Sequence, residues 1–420
     1  MYRLLVLLSV VALLGGACSG SDDDASVDDA SVDAAATDDA GSSSEPAPES
    51  DPETDTEPEP EPTTEPVPDP EQDVPSFDFS AVDPLVETFV EDNGLNGAAL
   101  VMVHRDFGIV DERFWGVFDA DRVSLLASSS KMVTAGVLLA LDDAGQLDID
   151  APIADVLPFA SDHPEITTAQ LLSNSSGLPG LLATAEYPDY LCVFFHTGTL
   201  QDCAERILTT PADDAAVVPP DTAFDYGGAQ WQVAGAVAEV ASGQSWAELV
   251  DQIFVQPCGL DVFAFTNPFS QVEGAGFSHP PGFDNNPEIF VATDNPNLEG
   301  GAYSNSTDYA ELMLMHLRGG RCGDQQVLSP AALASMHGDR IGAVYGGDAN
   351  GSDTGYGMGW WVSREDGTIT DPGAFGAVPW LNLEDGYGAL LLTESSSALA
   401  VPFSRSLGPL VDEAFAAALG

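Results

Sequence analysis

Lysine is almost missing from this chain. Its 420 residues carry 11 lysines and arginines against 68 aspartates and glutamates, a formal net charge of −57. Ten of the eleven cations are arginines, and Lys131 is the single lysine. So acidic a chain excludes nucleic acid and anionic lipid as electrostatic partners, and suits an exported protein in a salty medium. Cysteine is scarce too: there are five, and no two stand as Cys-x-x-Cys. That spacing argues against a dithiol redox motif or a zinc knuckle. The six histidines (His104, His163, His196, His279, His316 and His337) form no His-Glu-x-x-His and are read as surface or core residues, so no metal and no organic cofactor is expected. No serine lies in Gly-x-Ser-x-Gly, which removes the α/β-hydrolase elbow. The lone lysine follows Ser130 rather than glycine, which removes a Walker-type phosphate loop. The apolar run Leu4–Leu14 is too short to span a bilayer permanently.

That run, with Arg3 before it and small residues Gly15, Gly16 and Ala17 after it, reads as a signal segment over residues 1–17. Cys18 directly after the small residues resembles a bacterial lipoprotein processing site, although Gly15 stands where a leucine is usual. The resemblance implies acylation of Cys18; the alternative is an ordinary secretory signal that ends near a cysteine. The expectation is an exported cell-envelope lipoprotein that meets the membrane through its lipid alone. Ser19 carries no acidic retention signal, which favours an outer membrane over a periplasmic face. Residues 18–75 then form an acidic, Pro/Ser-rich linker. Residues 19–75 hold 20 acids, no lysine, no arginine and no aromatic residue. They cannot bury enough apolar surface to offset the entropy of ordering.

Globular composition begins near residue 76, leaving one large domain over 76–420. Four cysteines fall in it. Cys192–Cys203 closes a short local loop, and Cys258–Cys322 follows by elimination. Helices are expected over 80–92, 128–145 and 406–418, and strands over 97–104, 112–118, 356–362, 373–381 and 387–395. The serines at 128–130 offer a helix N-cap and Gly145 a stop. Residues 146–345 read as an all-helical insertion. Strands at both ends imply one sheet assembled from the two termini.

Ser128 and Lys131 are the chemical centre of this reading. Three residues apart on a helix, they share one face. Arginine never gives up its proton, whereas lysine does when desolvated. A chain that otherwise avoids lysine thus keeps the one cation able to act as a general base beside a candidate nucleophile.

Several ordered segments now resemble one family. Ser128-x-x-Lys131 is similar to the nucleophile motif of class C β-lactamases, DD-peptidases and β-lactamase-like esterases. "GQLDIDAPIADVLP" (145–158), "LLSNSSGLPG" (171–180, with Asn174 where histidine is usual), "FDYGGAQWQVAGAVAEVASG" (224–243), "GGAYSNSTDYAELMLMHLRGG" (300–320) and "YGMGWW" (356–361) extend the likeness over about residues 80–420. The resemblance implies an α+β fold of the β-lactamase/transpeptidase type: an antiparallel sheet flanked by helices, plus an all-α subdomain. It implies Ser128 as nucleophile, Lys131 as its proton acceptor, and Tyr226 as a second acid/base that needs cationic company to work as a phenolate. Backbone N–H groups of Ser128 and Ala374, the latter after Gly373, would form the oxyanion hole. Two departures stand out. Gly228 occupies the place of the second motif's asparagine, among the substrate-binding positions. Asp371 or Pro372 heads the third motif (Asp371-Pro372-Gly373), where a cation would hold a substrate carboxylate and an aspartate would repel it. The departures favour an esterase or amidase acting on a small ester, amide or peptide without that carboxylate. The alternatives are a DD-peptidase, penicillin-binding protein or β-lactamase, a catalytically inactive binding protein on the same scaffold, and a structural surface lipoprotein. Oligomeric state is left open.

Overall fold

A computed structural model describes residues 75–181, 187–210 and 217–420. The expected signal segment, Cys18 and the acidic linker up to residue 74 lie outside the described residues.

The strand Gly97–His104 is apolar up to its closing histidine and buried at every residue. A strand with that pattern must be covered on both faces, and it is. Ala98, Leu100 and Met102 face one apolar layer, with Val82 and Val86 from the helix region near the N-terminus and Leu407, Val411 and Phe415 from the C-terminal helix. Ala99, Val101 and Val103 face the other, larger core, which contains the helices carrying Val133, Leu138 and Met313. Each fully buried side chain of this kind stabilises the fold by roughly 1.5–3 kcal/mol relative to exposure.

The large sheet is antiparallel throughout. In chain order its strands are β1 (Gly97–His104), β2 (Gly108–Gly116), β3 (Thr354–Tyr356), β4 (Trp361–Ser363), β5 (Ile369–Thr370), β6 (Ala377–Asn382) and β7 (Tyr387–Thr393). Across the sheet they run β2-β1-β7-β6-β5-β4-β3. Thus β1 pairs with β7, Leu100 opposite Leu391, and the two ends of the domain build one sheet, as the strand pattern implied.

Several boundaries differ from expectation. The segment 356–362 is two strands, because Gly359 takes φ +84° and Gly357 N–H returns to Trp360 O, which makes a turn. Strand 373–381 begins only at Ala377, since Gly373 N–H bonds Ala377 O and Gly376 has φ +98°. The C-terminal helix is Ser397–Leu419, nine residues longer at its start than its sequence suggested, and it contains Pro402 and Pro409. Proline usually ends a helix. Here the stripe Ala400, Ser404, Leu407, Val411 and Phe415 is buried at helical spacing and holds the element through both.

The region 146–345 is not all helix. It contains the strands Ala264–Phe265 and Ala302–Ser304, which join Ser124–Leu125 in a three-stranded sheet, and the hairpin Arg321–Cys322 with Gln325–Gln326. Its helix Ser306–Leu317 packs back on the large sheet. Cys192 pairs with Cys203 and Cys258 with Cys322, at Cα separations of 5.5 and 4.8 Å. No described helix is long and apolar enough to cross a membrane.

Candidate active site

The serine run folds as a short 3-10 turn, Ala127–Ser130, before the α-helix Lys131–Asp143. Ala127 opens the turn at φ +48°, a conformation costly for any residue with a Cβ. Neighbours hold it there. Ser130 Oγ donates to Ala127 O at 2.6 Å and accepts from Ala302 N–H at 3.0 Å. Ser129 Oγ donates to Asp371 O at 2.6 Å, and Tyr309 Oη donates to Ser129 O at 2.9 Å. Ser129 and Ser130 are buried, while Ser128 is partly exposed. Two serines of the run therefore clamp the turn, and the third faces outward from it.

None of the three caps the helix through its side chain, contrary to expectation. The cap comes from across the fold: Asp371 Oδ2 accepts the Met132 N–H at 3.2 Å. Asp371 is fully buried, and its Oδ2 is turned to the start of the helix. Burial holds its carboxyl well above the usual range, against the opposing pull of Lys131 and the Met132 N–H. Gly373, two residues on, packs its Cα face against Leu126 O, only 1.9 Å from where a Cβ would sit. This close approach brings Ala374 into the same apolar cluster as Ala127.

Lys131 is buried completely. Its Nζ donates to Ser128 Oγ at 3.0 Å and to Glu299 O at 2.7 Å, and lies 3.7 Å from Glu299 Oε2. Burial draws its pKa down, while the Glu299 and Asp371 carboxylates push it up. Tyr226 is brought to the same point, with Nζ 4.6 Å from its ring centroid. Its position is fixed from several sides. Asn174, at φ +52°, accepts at Oδ1 from Trp231 Nε1 (3.2 Å), while its main-chain O accepts Asp225 N–H (2.9 Å); Tyr226 O accepts Leu181 N–H (2.7 Å). Trp361 and Tyr356 stand beside the Tyr226 ring at 5.4 and 6.2 Å between centroids.

The expectation that Lys131 would make Tyr226 a phenolate does not fit this setting. Burial and the Asp371 and Glu299 charges hold the phenol well above its ordinary pKa, and the hydrogen bond with Ser128 opposes them only in part. This direction favours the protonated phenol, which can donate a hydrogen bond or a proton.

Gly228 also differs from its expected place. It is the buried first residue of the helix Gly228–Ser242, and a Cβ there would lie 2.2 Å from Glu299 Oε1. The Glu299 carboxyl therefore covers Gly228, which does not face a substrate. Glu299 is the residue that sequence reasoning missed. Its only signal is an acid before the pair Gly300-Gly301, and nothing in that string says it lies beside a lysine 168 residues away. Among the described residues no group of histidines, cysteines or acids could hold a metal ion.

Comparison with known proteins places the chain in a family. The beta-lactamase family profile matches residues 82–403. Penicillin-binding protein 4 of Amycolatopsis lactamdurans is 28% identical over 330 residues, covering 75% of this chain and 81% of that protein. Esterase EstB of Burkholderia gladioli is 28% identical over 172 residues, 38% of this chain and 43% of the esterase. The solved structure of EstCE1, a hydrolase with promiscuous acyltransferase activity, superposes with a TM-score of 0.64 at 19% identity, over 79% of this chain and 97% of its own. This chain belongs to the beta-lactamase family, with the β-lactamase/transpeptidase-like fold. It is a serine hydrolase, related to penicillin-binding proteins and esterases.

Proposed function

We propose that the enzyme forms an acyl-enzyme on Ser128 and acts on small esters or amides that bear no carboxylate next to the scissile bond. The observation that carries this is the Lys131 Nζ–Ser128 Oγ contact of 3.0 Å inside a site whose other charges are acids. Lys131 accepts the Ser128 proton as Oγ attacks the carbonyl carbon. The carbonyl electron pair moves onto oxygen, where the N–H groups of Ser128 and Ala374 would receive it. Tyr226 supplies a proton to the leaving group as its bond to carbon breaks and regains one from the Lys131 ammonium; water, giving a proton to the freed amine, then releases the acyl group.

Substrate choice follows from where the cations are. Arg113, Arg122, Arg340 and Arg364 are paired with carboxylates elsewhere. Lys131 is engaged by Ser128 and Glu299. A substrate carboxylate would have to approach the Glu299 carboxyl with Lys131 already engaged, at a cost that grows as the site excludes water. The similarity to penicillin-binding protein 4 supports a second reading, a peptidase or β-lactam-binding protein. The signal pattern and Cys18 support export and lipid anchoring of the same chain.

Intact-mass spectrometry of the protein after incubation with a fluorophosphonate, a penicillin and p-nitrophenyl butyrate tests this, with Ser128→Ala as control. The expected result is a fluorophosphonate adduct on Ser128, turnover of the ester, no penicillin adduct, and none of these in Ser128→Ala. A stable penicillin adduct would move the reading to the peptidase. Activity surviving in Ser128→Ala would remove the serine assignment.

A further inference from the structure

The site contains an acid that the mechanism above does not use. Glu299 engages Lys131 twice: its main-chain oxygen accepts from Nζ at 2.7 Å, and its Oε2 lies 3.7 Å from the same nitrogen. Its side chain is 9% exposed, against 0% for Lys131. It reaches this position because residue 228 has no side chain. A Cβ at Gly228 would stand 2.2 Å from Oε1, 2.5 Å from Cδ and 3.1 Å from Oε2, so the entire carboxyl group fills the space in front of that glycine. A buried acid is costly unless it is paired or holds a proton. Here the partner is the one lysine in the chain, itself bonded to Ser128.

From this geometry we propose that Glu299 is the positioning and charge-balancing partner of Lys131, and that Gly228 is the opening that admits it. When Oγ bonds to the carbonyl carbon, the Ser128 proton passes to the Lys131 amine and makes an ammonium. That ammonium forms beside the Glu299 carboxylate, so positive charge develops against negative charge already in place. In the resting enzyme the pair can hold its one proton on either member, leaving Lys131 a free amine when the proton rests on Glu299. No oxidant or further reactant is involved. The other groups facing the pair are the Tyr226 phenol, the buried Asp371 carboxyl that caps the nucleophile helix, and the phenols of Tyr309 and Tyr356, which face Asp371. Of these Asp371 bears on Lys131 in the same sense as Glu299, but it is committed to the Met132 N–H. Burial raises the Glu299 pKa and lowers that of Lys131, which brings the two members of the pair toward one another.

The proposal rests on Ser128 and Lys131 acting as above, and the test separates the two. The rate of fluorophosphonate labelling of Ser128 is measured against pH in the wild-type protein, Glu299→Gln, Glu299→Asp and Gly228→Ala, with circular dichroism as the check on folding. Removing the negative charge takes away what favours the ammonium, so Lys131 gives up its proton at lower pH and becomes a weaker base. Glu299→Gln is expected to move the rising limb of the profile to lower pH by roughly 1–3 units and to lower its plateau on the order of ten-fold. Glu299→Asp keeps the charge and restores most of both. Gly228→Ala displaces the carboxyl without deleting it, and is expected to shift the limb in the same direction. This variant carries the test if Glu299→Gln does not fold. A wild-type limb position in either folded variant overturns the proposal, as does a loss of rate in Glu299→Gln that is equal at every pH. A wild-type protein that takes no label at Ser128 overturns the parent mechanism instead.

Discussion

Lys131 and Arg are not interchangeable where a proton must be taken up. The ammonium of Lys131 is desolvated, which draws its pKa down, and a guanidinium in its place would keep its proton at any working pH. Lys131→Arg is therefore expected to slow labelling of Ser128, and ester turnover, by roughly 10²–10⁴-fold. Stopped-flow labelling checks this, and a rate within a few-fold of wild type would mean that another group takes the Ser128 proton. The Ser128–Lys131 pair was readable because its parts are three residues apart and the lysine is alone in the chain. Tyr226 was readable only through likeness to a family. Its protonation state was not, since that depends on Asp371 and Glu299, which are distant in sequence and near in space.

At the scale of elements, the helix Lys131–Asp143 begins without a side-chain cap of its own, and Asp371 provides one from the loop before β6. Asp371→Ala removes that acceptor and is expected to cost about 1 kcal/mol of unfolding free energy, within the range for helix caps, read from urea denaturation. Asp371→Asn keeps an acceptor and removes the titration. An acid whose folded pKa is raised stabilises the fold fully below its unfolded value and loses that contribution as pH rises toward the folded one. Relative to wild type, Asp371→Asn should thus gain stability steadily as pH is raised from about 4. A difference between the two that does not change with pH would show that Asp371 is ionised in the fold at all these pH values. The aspartate at this place was visible in sequence as a departure, but its role was misjudged. Sequence placed it in the cleft; the structure turns its side chain inward to the start of a helix.

At the scale of the molecule, one disulfide closes a local loop and the other ties distant parts. Cys192–Cys203 spans 11 residues, whereas Cys258–Cys322 spans 64 and joins the helical segment ending at Cys258 to the Arg321–Cys322 hairpin. Chain-entropy arguments give about 3 kcal/mol for the short loop and about 4 kcal/mol for the long one. The Cys258→Ser/Cys322→Ser pair should accordingly lower the guanidinium midpoint more than Cys192→Ser/Cys203→Ser. Non-reducing peptide mapping of the wild-type protein should recover these two linkages and no others; a crossed pairing would contradict both loops.

Sequence by itself determined the layering and the chemical pair. An apolar strand demands cover on both faces, strands at both ends imply a shared sheet, and a solitary lysine one helical turn from a serine sets an amine beside a hydroxyl. These follow from local pattern along the chain, where period and spacing carry the information. Only tertiary structure decided that two prolines lie within the last helix, that Asp371 caps the nucleophile helix, and that Glu299 fills the space left by Gly228. Each of those depends on groups far apart in sequence meeting in a buried place, where desolvation and contact, rather than local pattern, set the outcome.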